Sequence, residues 1–459
     1  MMTRREIVSG LAVAPALAAR NAALSAANHT ETRSGSTASD LAFLSHEPLL
    51  NESRARRIMA EKNLDALVLT RPANVYYASN HWPQLDNMGF TESAIAILPR
   101  DAARPLALIL GAFSWYYTHS PESSFSGRLI FPYSAPAKGV AETDAEPAAE
   151  PPRMLPVVDA TQLTPLEKKR SQLLAAAEPV SASVDWALRK ALRKLSLEKA
   201  RLGIDLPALR SMLAVTAPQA AVIDSEAVLR EIRLAKSPTE LKIMRFAAQA
   251  NIDAALAAVR RTRELGSSRA LRNNFFSEAA SRGNHGTFMV INTTSTEYRD
   301  DPLTDGMAFA IDCVSTCGHY HGDFGRTVFV GEPPRFIASA CASVATCWQE
   351  IRAQLRPGLR FTEVASIGRA TLAKLGRSDL NVSFTPHSVG LFHTDHPQSS
   401  LLEPRSIASL TLEEDMILSV DCPVLHSGMG GSIHLEDLMW IRAGGAEVIH
   451  TVPESVIMV

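Results

Sequence analysis

The chain carries almost no excess of charge. Lysine and arginine number 46 against 48 aspartates and glutamates in 459 residues, a formal net charge of −2. That balance gives no basic footprint for nucleic acid or for an anionic membrane. No run of about 20 apolar residues follows the N-terminal region, which excludes an ordinary spanning helix there. Cysteine is scarce and unevenly placed: Cys313, Cys317, Cys341, Cys347 and Cys422 all lie in the C-terminal half. An odd, clustered set does not make a disulfide framework. What is present, 46% hydrophobic and 20% charged residues, is ordinary for a globular enzyme, with chain enough for two domains and their cores.

Residues 1–39 are set apart from the fold. Thr3-Arg4-Arg5-Glu6 precedes a mildly apolar run from Ile7 to Leu17, and Ala16-Leu17-Ala18 offers small residues for cleavage. Paired arginines before a weak apolar core resemble a twin-arginine export signal. The expectation is an exported or periplasmic bacterial protein that folds before transport. The Ser- and Thr-rich residues from His29 to Asp40 read as a flexible lead-in.

Two domains are expected, 40–223 and 224–459. In the first, Ala66 to Thr70, Ala94 to Leu98, Ala107 to Leu110 and Leu202 to Asp205 read as buried strands. Helical patterns alternate with them, one running from Lys168 to Leu197, which gives an α/β reading. Ala, Pro and Glu crowd residues 134–156, the composition of a loose surface insertion. In the second domain, Ser237-Pro238-Thr239-Glu240 has the form of a capping box with proline at the first helical position. It opens a helix to about Arg263, with Met244, Ala247, Ala248, Ile252, Ala255 and Leu256 on its core face.

The chemistry gathers on Asp312 and Asp323. An apolar run from Met307 to Ile311 precedes the first and another, Thr327 to Val330, follows the second. The region of Gly318 and Gly322 between them reads as a hairpin connection. Strands paired in this way bring both carboxylates to one face, near enough to share a cation. Downstream come His387, Asp421 and Glu436. Four carboxylates and one imidazole suit one or two hard or borderline ions: Mn²⁺, Fe²⁺, Co²⁺ or Zn²⁺. Cys313 and Cys422 directly follow two of the aspartates, and the neighbour of an inward strand residue points to the other face. Both thiols are therefore expected in the core.

In this order and with these flanks, the five resemble the pita-bread metallohydrolase superfamily, peptidase family M24, in its aminopeptidase P, prolidase and creatinase branch. Residues Arg56 to Leu69 with Asn74-Val75-Tyr76-Tyr77 resemble the start of that branch's N-terminal domain. Leu229 to Glu240 resembles the lead into its catalytic domain. The resemblance implies an α/β (α+β) fold, a creatinase-like α/β domain followed by a pita-bread domain, in a homodimer. It implies two divalent ions, manganese first, with Asp312 on one, His387 and Asp421 on the other, and Asp323 and Glu436 bridging. Two ions about 3.5–4 Å apart hold a hydroxide between them at neutral pH and polarise the bond under attack. Arg326 resembles the arginine of the family's Asp-x-x-Arg-Thr and is expected as a carboxylate's partner beside the ligands. Asp395 is placed with it in that surrounding shell.

Three departures bear on the reaction. The family has glutamate, then Pro-Gly, where this chain has Asp421-Cys422-Pro423. That shortens a side chain implied both to hold metal and to shuttle a proton. The peptidases place a histidine seven residues beyond the metal histidine; here that position is Thr394, with His393 and His396 on either side as candidate catalytic groups. A second family histidine, shortly before the first aspartate, is missing: Val290 to Thr296 fills its place, with His285 further upstream. His319 and His321 read as site-edge or surface residues. The expected function is hydrolysis of a small peptide or amide, as by an Xaa-Pro aminopeptidase or prolidase. Two alternatives stand beside it. One is a same-fold non-peptidase, creatinase-like or resembling dimethylsulfoniopropionate lyase, since a fold does not fix a reaction. The other is a metal-impaired binding protein without turnover.

Overall fold

Six short strands between residues 66 and 224 make the first sheet: β1 (Ala66–Leu69), β2 (Ala94–Pro99), β3 (Ala107–Gly111), β4 (Leu129–Tyr133), β5 (Arg201–Ile204) and β6 (Ala221–Asp224). Their order is β4-β3-β2-β1-β5-β6, with β2 antiparallel to both neighbours and the other pairs parallel. The computed structural model describes residues 38–90, 93–118, 127–138, 145–151, 156–397, 409–451 and 453–459. The expected export signal and parts of the expected insertion at 134–156 lie outside the described residues. The central strands are apolar at nearly every position because both faces are covered. Leu67, Leu69, Leu98, Leu108 and Leu110 enter one core, while Val68, Ile97 and Ile109 enter the other, as the period of two requires.

The single helix expected over Lys168 to Leu197 is instead two, Pro165–Ala175 and Val184–Lys194. Pro179 lies in the break, where it cannot continue a helix. Ser183 then accepts the N–H of Trp186 and caps the second helix.

In the C-terminal half the capping box forms as expected. Ser237 Oγ accepts the N–H of Glu240, the Glu240 carboxylate accepts that of Ser237, and Pro238–Val259 is one helix. It ends short of Arg263, and a separate turn, Thr262–Leu265, stops at Gly266 with φ +66°. The helix lies against β8 (Ala308–Cys317) and β9 (Tyr320–Phe329), the expected hairpin, which turns at Gly318 and His319. Gly322 permits that approach: a Cβ there would sit 2.4 Å from the carbonyl oxygen of Ala247. With β7 (His285–Ile291) and β14 (Val456–Met458) the hairpin forms a four-stranded sheet, β14-β9-β8-β7. A second sheet has the order β10-β11-β12-β13, from Thr385–Ser388, Ile417–Asp421, Met439–Arg442 and Gly445–Val448. The two sheets meet where Gly325 and Glu436 bridge, each N–H donating to the other's carbonyl. Among the described residues no helix is long and apolar enough to cross a membrane.

Candidate metal centre

The hairpin register sets the first two expected ligands. Asp312 lies opposite Gly325, and Val314 opposite Asp323, so both aspartates stand diagonally on one face. Along β9 that face carries Asp323, Gly325 and Thr327, and each has a task. Asp323 offers its carboxylate, Gly325 leaves space, and Thr327 Oγ1 accepts the N–H of His434 and donates to its carbonyl oxygen. The opposite face carries Arg326, which binds the carboxylate of Asp437 at 2.6 Å and the carbonyl oxygen of Glu436 at 2.7 Å. Arg326 therefore holds the strand that presents Glu436.

The second sheet supplies the rest. His387 on β10 is opposite Ser419 on β11, and Asp421 follows two residues on. His387 Nδ1 is 3.2 Å from the carbonyl oxygen of His393. Donation there leaves Nε2 as the lone-pair nitrogen, 3.4 Å from Glu436 Oε1 and 3.7 Å from both Asp323 Oδ2 and Asp421 Oδ2. All five expected ligands thus converge. Among the described residues, three groups bring their ligand atoms within 4.8 Å of one another: Asp312 with His434 and Glu436; His387 with Asp421 and Glu436; and Asp323 with His387 and His393.

The donor set fits divalent ions. Asp312 Oδ1, both oxygens of Asp323 and His387 Nε2 are buried and have no hydrogen-bond partner. Leaving several such groups bare is too costly for a fold to tolerate without a compensating charge. Burial, together with the charges of Glu436 and Asp323, pushes the Asp312 carboxyl up to about 8. Asp323 is pushed well above the usual range by burial and by Glu436. Glu436 goes the other way: burial opposes its charge, yet His387 and His434 hold it well below the usual range. Cys313 and Cys422 are fully buried, as expected, and burial holds both thiols protonated.

A pH dependence follows for the metal-free protein. The folded Asp312 binds its proton more tightly than the unfolded residue, whose pKa is about 3.9. Its favourable contribution is complete below that value and is lost as pH rises toward about 8. Thermal unfolding of chelator-treated protein is expected to show falling stability from pH 5 to 8, with added Mn²⁺ or Zn²⁺ removing the decline. A flat profile without metal would contradict this.

The two histidines around Thr394 part company. His393 Nε2 lies 3.1 Å from Asp323 Oδ2, and its ring packs edge-on to Phe288. His396 is buried, accepts the N–H of Ser388 through Nδ1 at 3.3 Å and meets the Phe361 ring. It falls outside the three groups and braces β10 beside His387. Asp395, expected in the shell around the ligands, has its carboxylate paired with Arg233 at 2.9 Å, both side chains at most 1% exposed. His319 stacks on Trp82, ring centroids 3.5 Å apart, at the turn of the hairpin.

Two neighbours of the cluster are absent from the sequence reading. Ser419 Oγ donates to Glu436 Oε1, and its place two residues before Asp421, on the same strand face, was the available signal. His434 stands two residues before Glu436 and follows the same rule. Its Nε2 is 3.0 Å from Glu436 Oε2.

A buried cluster of carboxylates and imidazoles where two sheets meet marks an α/β protein built to hold divalent metal. The comparisons agree. Residues 218–443 match the family described as metallopeptidase family M24, and residues 53–145 match the creatinase/prolidase N-terminal domain. Residues 218–443 thus form a domain of metallopeptidase family M24. It is 27% identical over 243 residues to the "Probable dipeptidase PepE" of Mycobacterium tuberculosis, a match spanning 50% of this chain and 62% of that protein. To the "Xaa-Pro dipeptidase" of Pyrococcus horikoshii it is 24% identical over 230 residues, 48% of this chain and 63% of the relative. In each case the match spans less than two thirds of the relative. Among solved structures, a dipeptidase from Pyrococcus horikoshii aligns with a TM-score of 0.64 at 14% identity, covering 89% of this chain and 99% of that one. The prolidase of the same organism aligns with 0.60 at 19%, covering 88% and 99%. At those identities the likeness establishes the pita-bread fold alone.

Proposed function

We propose that the chain is a dinuclear metal-dependent hydrolase of small peptides, with Xaa-Pro dipeptides the first substrates to try. One observation carries the reading: the ligand atoms of Asp312, Asp323, His387, Asp421 and Glu436 converge, with Asp312 Oδ1, both Asp323 oxygens and His387 Nε2 buried and bare of protein partners, in a chain with an M24 domain. Ions held there would supply an activated water and polarise the scissile carbonyl.

The protein's own part is graded by exposure. Asp323, His387, Glu436 and His434 have side chains at most 7% exposed, whereas His393 is 34% and Asp421 27% exposed. The buried members position; the two exposed ones can meet a substrate. In the metal-free protein burial, with His387 second, holds His393 below its ordinary pKa, and bound cations would act in the same direction, leaving a neutral ring with one N–H to donate to a substrate carbonyl oxygen. Burial and Glu436 raise the Asp421 carboxyl in the metal-free protein; beside divalent ions it would be ionised instead, able to accept a proton. His393 thereby takes the part for which Thr394 has no imidazole.

Replacing His393 by Ala is expected to cut turnover by about 10²–10³ with metal content unchanged. His396→Ala is expected to leave turnover near wild type. Steady-state rates on a panel of Xaa-Pro dipeptides, tripeptides and small amides test both the substrate class and the assignment. Bound metal with no hydrolysis anywhere on the panel would favour a non-peptidase of the same fold. Absence of binding for Mn²⁺, Co²⁺ and Zn²⁺ would leave a binding protein. Manganese as the ion, export through Arg4 and Arg5, and a homodimer complete the reading, supported by sequence pattern and family resemblance. The division near residue 224 belongs to it too, supported by the six strands of the first sheet lying before that point.

A further inference from the structure

We propose that His434 is itself a metal ligand, giving the Asp312–Glu436 side of the centre an imidazole of its own. The assignment rests on the metal-centre reading above.

Three observations support it independently of sequence resemblance. First, His434 is one of three residues, with Asp312 and Glu436, whose ligand atoms come within 4.8 Å of one another. Its Nε2 lies 3.0 Å from Glu436 Oε2 and 3.9 Å from Asp421 Oδ1, so the ring stands among three carboxylates. Second, a gap in β9 receives it. A Cβ on Gly325 would fall 2.2 Å from His434 Cδ2 and 2.5 Å from its Nε2, so no other residue at 325 leaves the imidazole where it is. Third, Thr327 holds the backbone of His434 from both sides through the N–H and the carbonyl. Ligand precision demands that kind of support.

The chemical consequence concerns which ion is held. Carboxylate ligands alone suit Mg²⁺ and Mn²⁺, whereas imidazole favours Zn²⁺, Fe²⁺ and their neighbours. With His387 on one side and His434 on the other, both halves of the centre carry nitrogen. The order of preference then moves toward Zn²⁺ and Co²⁺ relative to a centre with a single imidazole.

Cobalt substitution reads the coordination directly. In the Co²⁺-loaded protein each ligated imidazole contributes a far-shifted, solvent-exchangeable N–H proton resonance. His434→Gln is expected to remove one of these, keep that of His387, and weaken one of the bound Co²⁺ ions tenfold or more by titration. Gly325→Ala keeps the histidine but displaces its ring, and is expected to remove the same resonance; it also serves should His434→Gln not fold. An unchanged set of resonances and unchanged Co²⁺ affinity in either folded variant overturns the assignment while leaving the metal centre intact. A wild-type protein that binds no Co²⁺, Mn²⁺ or Zn²⁺ overturns both.

Discussion

Asp323→Ala is expected to strip the centre of most of its metal, with hydrolysis falling alongside. The effect should exceed the about 10–100-fold that loss of an outer partner of a metal ligand costs. Asp323 is the buried member with the least other employment: neither of its oxygens has a hydrogen-bond partner, and it comes within 3.7 Å of His387 and 3.1 Å of His393. The same isolation separates lost metal from lost fold. Without metal, the wild-type side chain is a buried acid pushed well above its usual range, an unfavourable group that the variant lacks. Chelator-treated Asp323→Ala should therefore unfold at no lower temperature than chelator-treated wild type. Elemental analysis after loading with Mn²⁺, Co²⁺ or Zn²⁺ is the deciding measurement. Wild-type metal content in the variant would put the centre elsewhere.

The centre was legible where strand geometry and side-chain chemistry coincide. Asp312 and Asp323 sit on strands whose apolar flanks declare them, and a hairpin leaves little choice of face once the register is set. Cys313 could be assigned to the core by alternation alone, and it is fully buried. The capping box at Ser237 is likewise a local signal with a local cause, and it forms. Where reasoning from sequence fell short, the cause was a contact between distant segments. Nothing near Asp395 announces that Arg233, 162 residues earlier, will claim its carboxylate. Choosing between His393 and His396 required knowing which ring the 389–397 loop turns toward Asp323, and a difference of three residues in a loop does not specify that. His434 went unread for another reason. Its partner is the space above Gly325, and a missing Cβ is visible only once the strands are paired.

Breaking the ion pair of Asp395 and Arg233 should give a large loss of stability. Arg233 is fully buried, donates to both carboxylate oxygens of Asp395, and also reaches Asn74 Oδ1. Asp395→Ala would leave a guanidinium in the interior that cannot shed its proton. Breaking one side of such a pair costs about 3–5 kcal/mol. Lys236, the other buried cation nearby, already has its pKa lowered by burial, and it can neutralise itself where arginine cannot. Replacing both partners, as Arg233→Met with Asp395→Leu, should cost less than Asp395→Ala alone, since apolar groups of similar volume leave no charge stranded. Acid sensitivity follows with a definite sign. Burial tends to raise the Asp395 carboxyl, but Arg233 and Lys236 outweigh it and hold the group below its usual range. Its contribution is complete above the unfolded value of about 3.9 and is lost as pH falls through the lower, folded one. Urea unfolding of wild type, Asp395→Ala and the double variant at pH 7 tests the ordering. A cost under about 1 kcal/mol for Asp395→Ala, the size of an exposed pair, would mean that water reaches Arg233. The backbone N–H of Asp395 also donates to the carbonyl of Ser388, next to His387, at 2.7 Å. The variant that loses stability should therefore also loosen the strand end that presents His387 and weaken metal binding, an effect the double variant should share only in part.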